Sequence, residues 1–179
     1  AGPGKKISDP EYYKLQVLNE KLGAGYNGRL FEVLRLQRGY TYGAYSGFNS
    51  SSDYGEFYAA SSVQGSATKE SVALFKEIFS TFGPEFTQDQ LDATKGAILR
   101  ANASRFETAN SLVGMLGTIR NNNLPDDYIK QEEAVASAMT LEDLKAKAAE
   151  YLDNDNMIIV VVGDAETQLK NLPEAKLIK

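Results

Sequence analysis

LRLQRGYTYGAYSGF, residues 34–48, is where a helical periodicity stops and a strand periodicity begins. Upstream, Leu30, Phe31, Leu34 and Arg38 recur at helical spacing until Gly39, which suits a left-handed helix end. Downstream, aromatic and small residues alternate from Tyr40 to Phe48 and again from Glu56 to Gln64, with a polar loop, Asn49 to Gly55, between them. That pattern predicts two antiparallel strands joined as a hairpin, with Tyr40 and Tyr42 on one face and Tyr45 on the other. If the chain reverses at Arg38 and Gly39, the side chains of Arg35 and Tyr42 are long enough to converge across the junction.

Working outward, Tyr12, Leu15, Leu18 and Leu22 place a helix over 9–22, followed by the turn GAGYNG with Asn27 as the cap of the next helix. Beyond the hairpin, Val72, Phe75, Phe79 and Phe82 form an apolar stripe ending at Gly83 and Pro84. Thr87 with Gln90 has the form of a capping box and opens a run expected to break near Phe106. Pro125 suits the first turn of a helix carrying Tyr128, Ile129 and Val135, and Thr140 with Asp143 begins another. The run MIIVVV, residues 157–162, reads as a buried strand. This order predicts an α+β fold, an antiparallel sheet covered by helices.

The chain has 179 residues, 42% of them hydrophobic and 24% charged, enough for one substantial core and too few for two. Residues 9–179 are expected to form a single domain, with residues 1–8 a truncated start or an expression remnant. A net charge of −5 without a basic cluster argues against nucleic acid, and no apolar run is long enough to span a bilayer. The sequence contains no cysteine and no histidine. Disulfides, thiolate sites and serine–histidine catalysis are therefore excluded. Gly23, Gly25 and Gly28 spell GxGxxG, but the preceding segment is helical in period and a hairpin follows, whereas a dinucleotide fingerprint needs a strand before it. A helix–helix turn is the simpler reading. The acidic pairs Asp126–Asp127, Glu132–Glu133 and Asp153/Asp155 match no calcium loop and read as solvated or helix-end charges, so no metal site is assigned. Taken alone, an arginine near a helix end and a strand tyrosine are better read as a dipole partner and a packing residue.

The chain resembles the second, non-zinc half of the pitrilysin and insulinase family of zinc metallopeptidases, which includes the mitochondrial processing peptidases and similar bacterial peptidases. The resemblance runs through DPEYYKLQVLNEKLGAGYNGRLFEVLR, RGYTYGAYSGF, SRFETANSL and MTLEDLKAKAAEYLDNDNMIIVVVGD, most of residues 9–164. It implies a half that faces a partner bearing HxxEH, where zinc and the water-activating glutamate reside. It also implies that an R-x6-Y pair, here Arg35 and Tyr42, reaches the carbonyl of a peptide substrate and donates hydrogen bonds to the oxyanion. With no HxxEH of its own, the chain is expected to be inactive unless joined to the zinc half, in one polypeptide or as a separate subunit. The alternative the resemblance implies is a catalytically dead assembly scaffold. The family half begins with a strand that AGPGKKI does not supply, so the sheet is expected to lack an edge strand. The resemblance further implies a bacterial cytoplasmic or periplasmic setting.

Overall fold

The computed structural model describes residues 1–178. Its sheet has three antiparallel strands, β1 (Gly2–Pro3), β2 (Thr41–Ser50) and β3 (Gly55–Val63), in the order β1-β3-β2. The helices are α1 (Tyr12–Leu22), α2 (Arg29–Phe31, continuing as a π-helix over Glu32–Gln37), α3 (Thr68–Glu85), α4 (Gln88–Ser104), α5 (Ala109–Asn122), α6 (Tyr128–Ala138), α7 (Leu141–Tyr151) and α8 (Ala165–Asn171). This is the α+β arrangement the sequence predicts.

One face of the hairpin carries the core. Thr41, Ala44, Ser46 and Phe48 of β2 are buried, and Phe48 lies opposite Phe57 of β3 with ring centroids 5.0 Å apart. Phe57 continues the aromatic chain to Phe79 of α3 at 5.6 Å. Leu15, Leu18 and Leu22 of α1, Leu30 and Leu34 of the second helix, and Leu144 and Ala148 of α7 close over this face. Each such leucine contributes on the order of 2 kcal/mol by leaving water.

A buried polar clasp ties α1 to β2. Asn19 Nδ2 donates to the Ser46 carbonyl at 3.0 Å, and Ser46 Oγ donates back to Asn19 Oδ1 at 2.7 Å. Ser46 N donates to the Gly23 carbonyl at 3.0 Å, and a Cβ on Gly23 would lie 2.4 Å from Ser46 Oγ. The first glycine of GxGxxG is thus a close-approach residue where a helix–helix turn lies on a strand. The cap of the second helix is Gly28, with no side-chain bond, and not Asn27 as expected.

The capping boxes form as predicted. Thr87 and Gln90 exchange bonds of 3.0 and 3.3 Å, and Thr140 and Asp143 do the same at the start of α7. The break between α4 and α5 falls at residues 105–108, and there Arg105 Nη1 pairs with buried Glu132 of α6 at 2.7 Å. Pro125 lies in a turn ahead of α6, its carbonyl accepting from Tyr128 N at 3.1 Å, and not in the first helical turn.

Tyr13, in a second small cluster with Leu124, Tyr128 and Ile129, has its phenol pushed up to about 12 by burial first and then by the nearby Glu132 charge. Its native value lies above the ordinary ~10, so its contribution is intact below pH ~10 and is lost as pH rises toward 12. Urea unfolding between pH 9 and 12 should show a shallower alkaline loss of stability in Tyr13→Phe than in the parent chain. Equal slopes would remove Tyr13 from the effect.

The largest correction concerns residues 157–162. They form no strand, and Ile158, Val160 and Val162 stand largely in solvent. Ile158 exchanges hydrogen bonds with Ala1, but beyond that pair the segment runs beside β3 without touching its edge as a strand would. A run of six apolar residues specifies a preference for the sheet interior and cannot by itself supply a neighbour.

Candidate functional site

The junction between α2 and β2 departs from regular geometry on both sides of Gly39. In the helix, Arg38 N donates to the Val33 carbonyl at 3.1 Å, five residues back, and Tyr40 N donates to that of Leu34 at 3.0 Å. Wider turns of this kind recur at functional sites. Gly39 then takes φ +67°, the left-handed conformation that favours glycine. Leu34 is fully buried and anchors the turn, leaving the next residue, Arg35, at the half-buried rim.

On the strand side, Thr41 pairs with Val63 but Ala44 pairs with Ser61, so β2 carries one extra residue at Tyr42–Gly43. This β-bulge is stitched by side chains. Thr41 Oγ1 donates to the Ser62 carbonyl at 2.7 Å and accepts from Gly43 N at 3.0 Å, while Ser61 Oγ donates to the Gly43 carbonyl at 2.8 Å. Bulges re-aim side chains, and here Tyr42 is turned fully outward, 89% exposed. The bulge also corrects the expected facing of Tyr45. Tyr42 and Tyr45 both lie on the outer face, because the extra residue reverses the alternation between them.

Arg35 and Tyr42 are brought together. The guanidinium carbon lies over the Tyr42 ring, 5.0 Å from its centroid, a cation–π contact worth about 0.5–1 kcal/mol at an exposed site. Arg29 pairs with Glu32 and Glu85, and Arg105 with Glu132, but among the described residues no carboxylate pairs with Arg35. The half-buried Arg35 guanidinium and the exposed Tyr42 hydroxyl thus stand side by side as a cationic and a neutral donor.

An aromatic shelf adjoins them. Tyr26 packs edge-on against Phe31 at 5.2 Å and Tyr45 at 6.4 Å, and Tyr45 lies across Gly43, where a Cβ would meet its ring. Desolvation by its neighbours raises the Tyr45 pKa, and the Tyr26 hydroxyl adds to the shift. The sequence alone assigns no role to Tyr26 and Tyr45. The signal was an aromatic residue in the middle of a glycine turn, facing a strand whose parity is set by an unseen bulge. The residues present do not fit zinc: the chain has no histidine or cysteine, and among the described residues no group of three acidic side chains is placed to hold a metal.

Residues 1–98 match the family described as the peptidase M16 inactive domain, and the chain belongs to that family. This is the non-zinc half that the resemblance in sequence implies. The fold is similar to the crystal structure of the peptidase M16 inactive domain from Pseudomonas fluorescens, with a TM-score of 0.74 and 29% identity, covering 86% of this chain and 37% of that one. A protease from Helicobacter pylori shares the fold at a TM-score of 0.71 and 20% identity, covering 87% of this chain and 38% of that one. In sequence the chain is similar to the non-peptidase homolog YmxG of Helicobacter pylori, 34% identical over 111 residues, which are 59% of this chain and 25% of that protein. It is also similar to the uncharacterized zinc protease SCO5738 of Streptomyces coelicolor, 23% identical over 154 residues, 86% of this chain and 31% of that protein. The chain spans about a quarter to a third of the length of these curated relatives.

Proposed function

We propose that residues 9–179 are the assisting half of a zinc endopeptidase, binding peptide and stabilising the oxyanion formed when water attacks the scissile carbonyl. The observation that carries this reading is the stacking of Arg35 on an outward-turned Tyr42, both without a competing ionic partner among the described residues. The two neighbouring donors suit a developing negative charge and would gain strength once a second half excludes water. The metal, the base and the attacking water belong to an HxxEH-bearing half. A contact surface for such a partner is available on α5, which has no buried residue and holds Leu112, Val113 and Leu116 exposed. Among the described residues no helix is long and apolar enough to cross a membrane, and a bacterial cytoplasmic or periplasmic setting fits this reading.

The test is reconstitution. The chain alone should leave a quenched fluorescent peptide intact, and addition of its HxxEH half should give chelator-sensitive cleavage. Full turnover by the isolated chain would contradict the proposal. The second reading, a scaffold of the same family without catalysis, is favoured by the 34% identity to a non-peptidase homolog. It predicts that the HxxEH half either is not encoded nearby or assembles with this chain and cleaves nothing.

A further inference from the structure

The acidic pair Glu132–Glu133 is not the solvated face its sequence suggests. Glu132 is 7% exposed and lines a cavity of about 420 Å³ between α1, α5 and α6, beside the break that follows α4. The cavity belongs to the helical layer, on the other side of the sheet from the outward-turned Tyr42.

Polar groups of complementary kinds converge there. A buried carboxylate needs several donors, yet Glu132 has one close one, Arg105 Nη1 at 2.7 Å on Oε2. Its Oε1 is reached only by Arg105 Nη2 at 3.5 Å, the limit of a hydrogen bond, and remains an acceptor to be filled. The Arg105 side chain is 41% exposed and has donors to spare. Gln16 lines the same cavity, and its Nε2 is buried without a hydrogen-bond partner. Buried polar atoms are normally satisfied, so this amide points to an absent acceptor. Tyr13 and Tyr128 border the cavity too, and burial raises both phenols, which keeps them neutral hydroxyl donors around pH 7. Ile7 and Met115 supply an apolar side. A roomy pocket with a few convergent polar groups and perturbed titratable ones has the make-up of a small-molecule site.

We propose that this cavity binds a free α-amino acid with an apolar side chain. A simple anion would meet Glu132, and a simple cation would meet Arg105. A zwitterion with both charges on one carbon can set its ammonium on Glu132 Oε1 and its carboxylate on Arg105 and Gln16, adding a partner to each charge of the existing pair. Its side chain then lies against Ile7 and Met115. Because Met115 comes from α5, which has no buried residue, the bound molecule would also tie that helix to α1 and α6.

The experiment titrates the full chain with L-leucine and follows backbone amide resonances. Saturable shifts should centre on residues 13, 16, 105, 128 and 132, with a Kd below about 1 mM. N-acetyl-L-leucine, which lacks the ammonium, and L-leucinamide, which lacks the carboxylate, should each bind roughly tenfold more weakly, the scale of one lost bond to a charged group. Gln16→Leu removes the unpaired donor at similar volume, so the urea midpoint should hold while leucine binding weakens by a similar factor. If that variant fails to fold, Tyr128→Phe, which keeps the ring, carries the same test at one hydroxyl. The proposal is overturned by the absence of saturation up to about 10 mM leucine or by shifts confined to other parts of the chain. Equal binding of either analogue, or parental affinity in both variants, would overturn it as well.

Discussion

In the reconstituted complex with an HxxEH half, Tyr42→Phe should lower kcat by about 100-fold, the scale of one lost oxyanion donor. The substitution removes one oxygen from a side chain that is 89% exposed and makes no hydrogen bond within the hairpin among the described contacts. The ring remains, and with it the seat for the Arg35 guanidinium at 5.0 Å. The melting temperature should therefore not move. If the hydroxyl acts only as charge develops, kcat and kcat/KM should fall together with KM little changed. Arg35→Ala should also lower turnover, while raising KM if the guanidinium holds the substrate carbonyl before attack. A Tyr42→Phe complex with parental kcat would remove the hydroxyl from the mechanism.

Phe57→Ala has the opposite signature. Phe57 is fully buried between Phe48, at 5.0 Å, and Phe79, at 5.6 Å, and joins the hairpin to α3. Truncating a buried phenylalanine leaves a cavity and costs about 3–5 kcal/mol, a large share of the roughly 5–15 kcal/mol that holds a domain together. The urea midpoint should fall steeply at unchanged m-value, and any activity in the complex should fall with the folded fraction. A loss under ~1 kcal/mol would mean that the aromatic chain is not the spine of the core.

Much of this fold is legible in the chain because its signals are local. The stripe of Leu15, Leu18 and Leu22, the boxes at Thr87/Gln90 and Thr140/Asp143, and Gly39 each act within a turn or two, and each forms where the sequence predicts. The pairing of Arg35 with Tyr42 is implied by the family resemblance and permitted by their spacing, but the side-chain approach depends on two irregularities the spacing does not reveal. A π-turn over six residues has no periodicity distinct from an ordinary helix, and a bulge is a relation between β2 and β3, invisible in either strand alone. Hence Tyr45 was expected on the wrong face. MIIVVV fails for the complementary reason: burial of a strand is a property of its neighbours, and this one has a single residue pair beside it.

The irregularities on either side of Gly39 make the site sensitive to length as well as to composition. One residue more or fewer rotates a helix by about 100° and turns a strand over by 180°. Deleting a single residue between Val33 and Ala44 would keep the chemistry of nearly every side chain and yet send Arg35 or Tyr42 to a different bearing. Insertions and deletions in this dozen residues should therefore be tolerated far less than substitutions at the same positions, even though the segment lies at the surface, where changes of length are ordinarily absorbed.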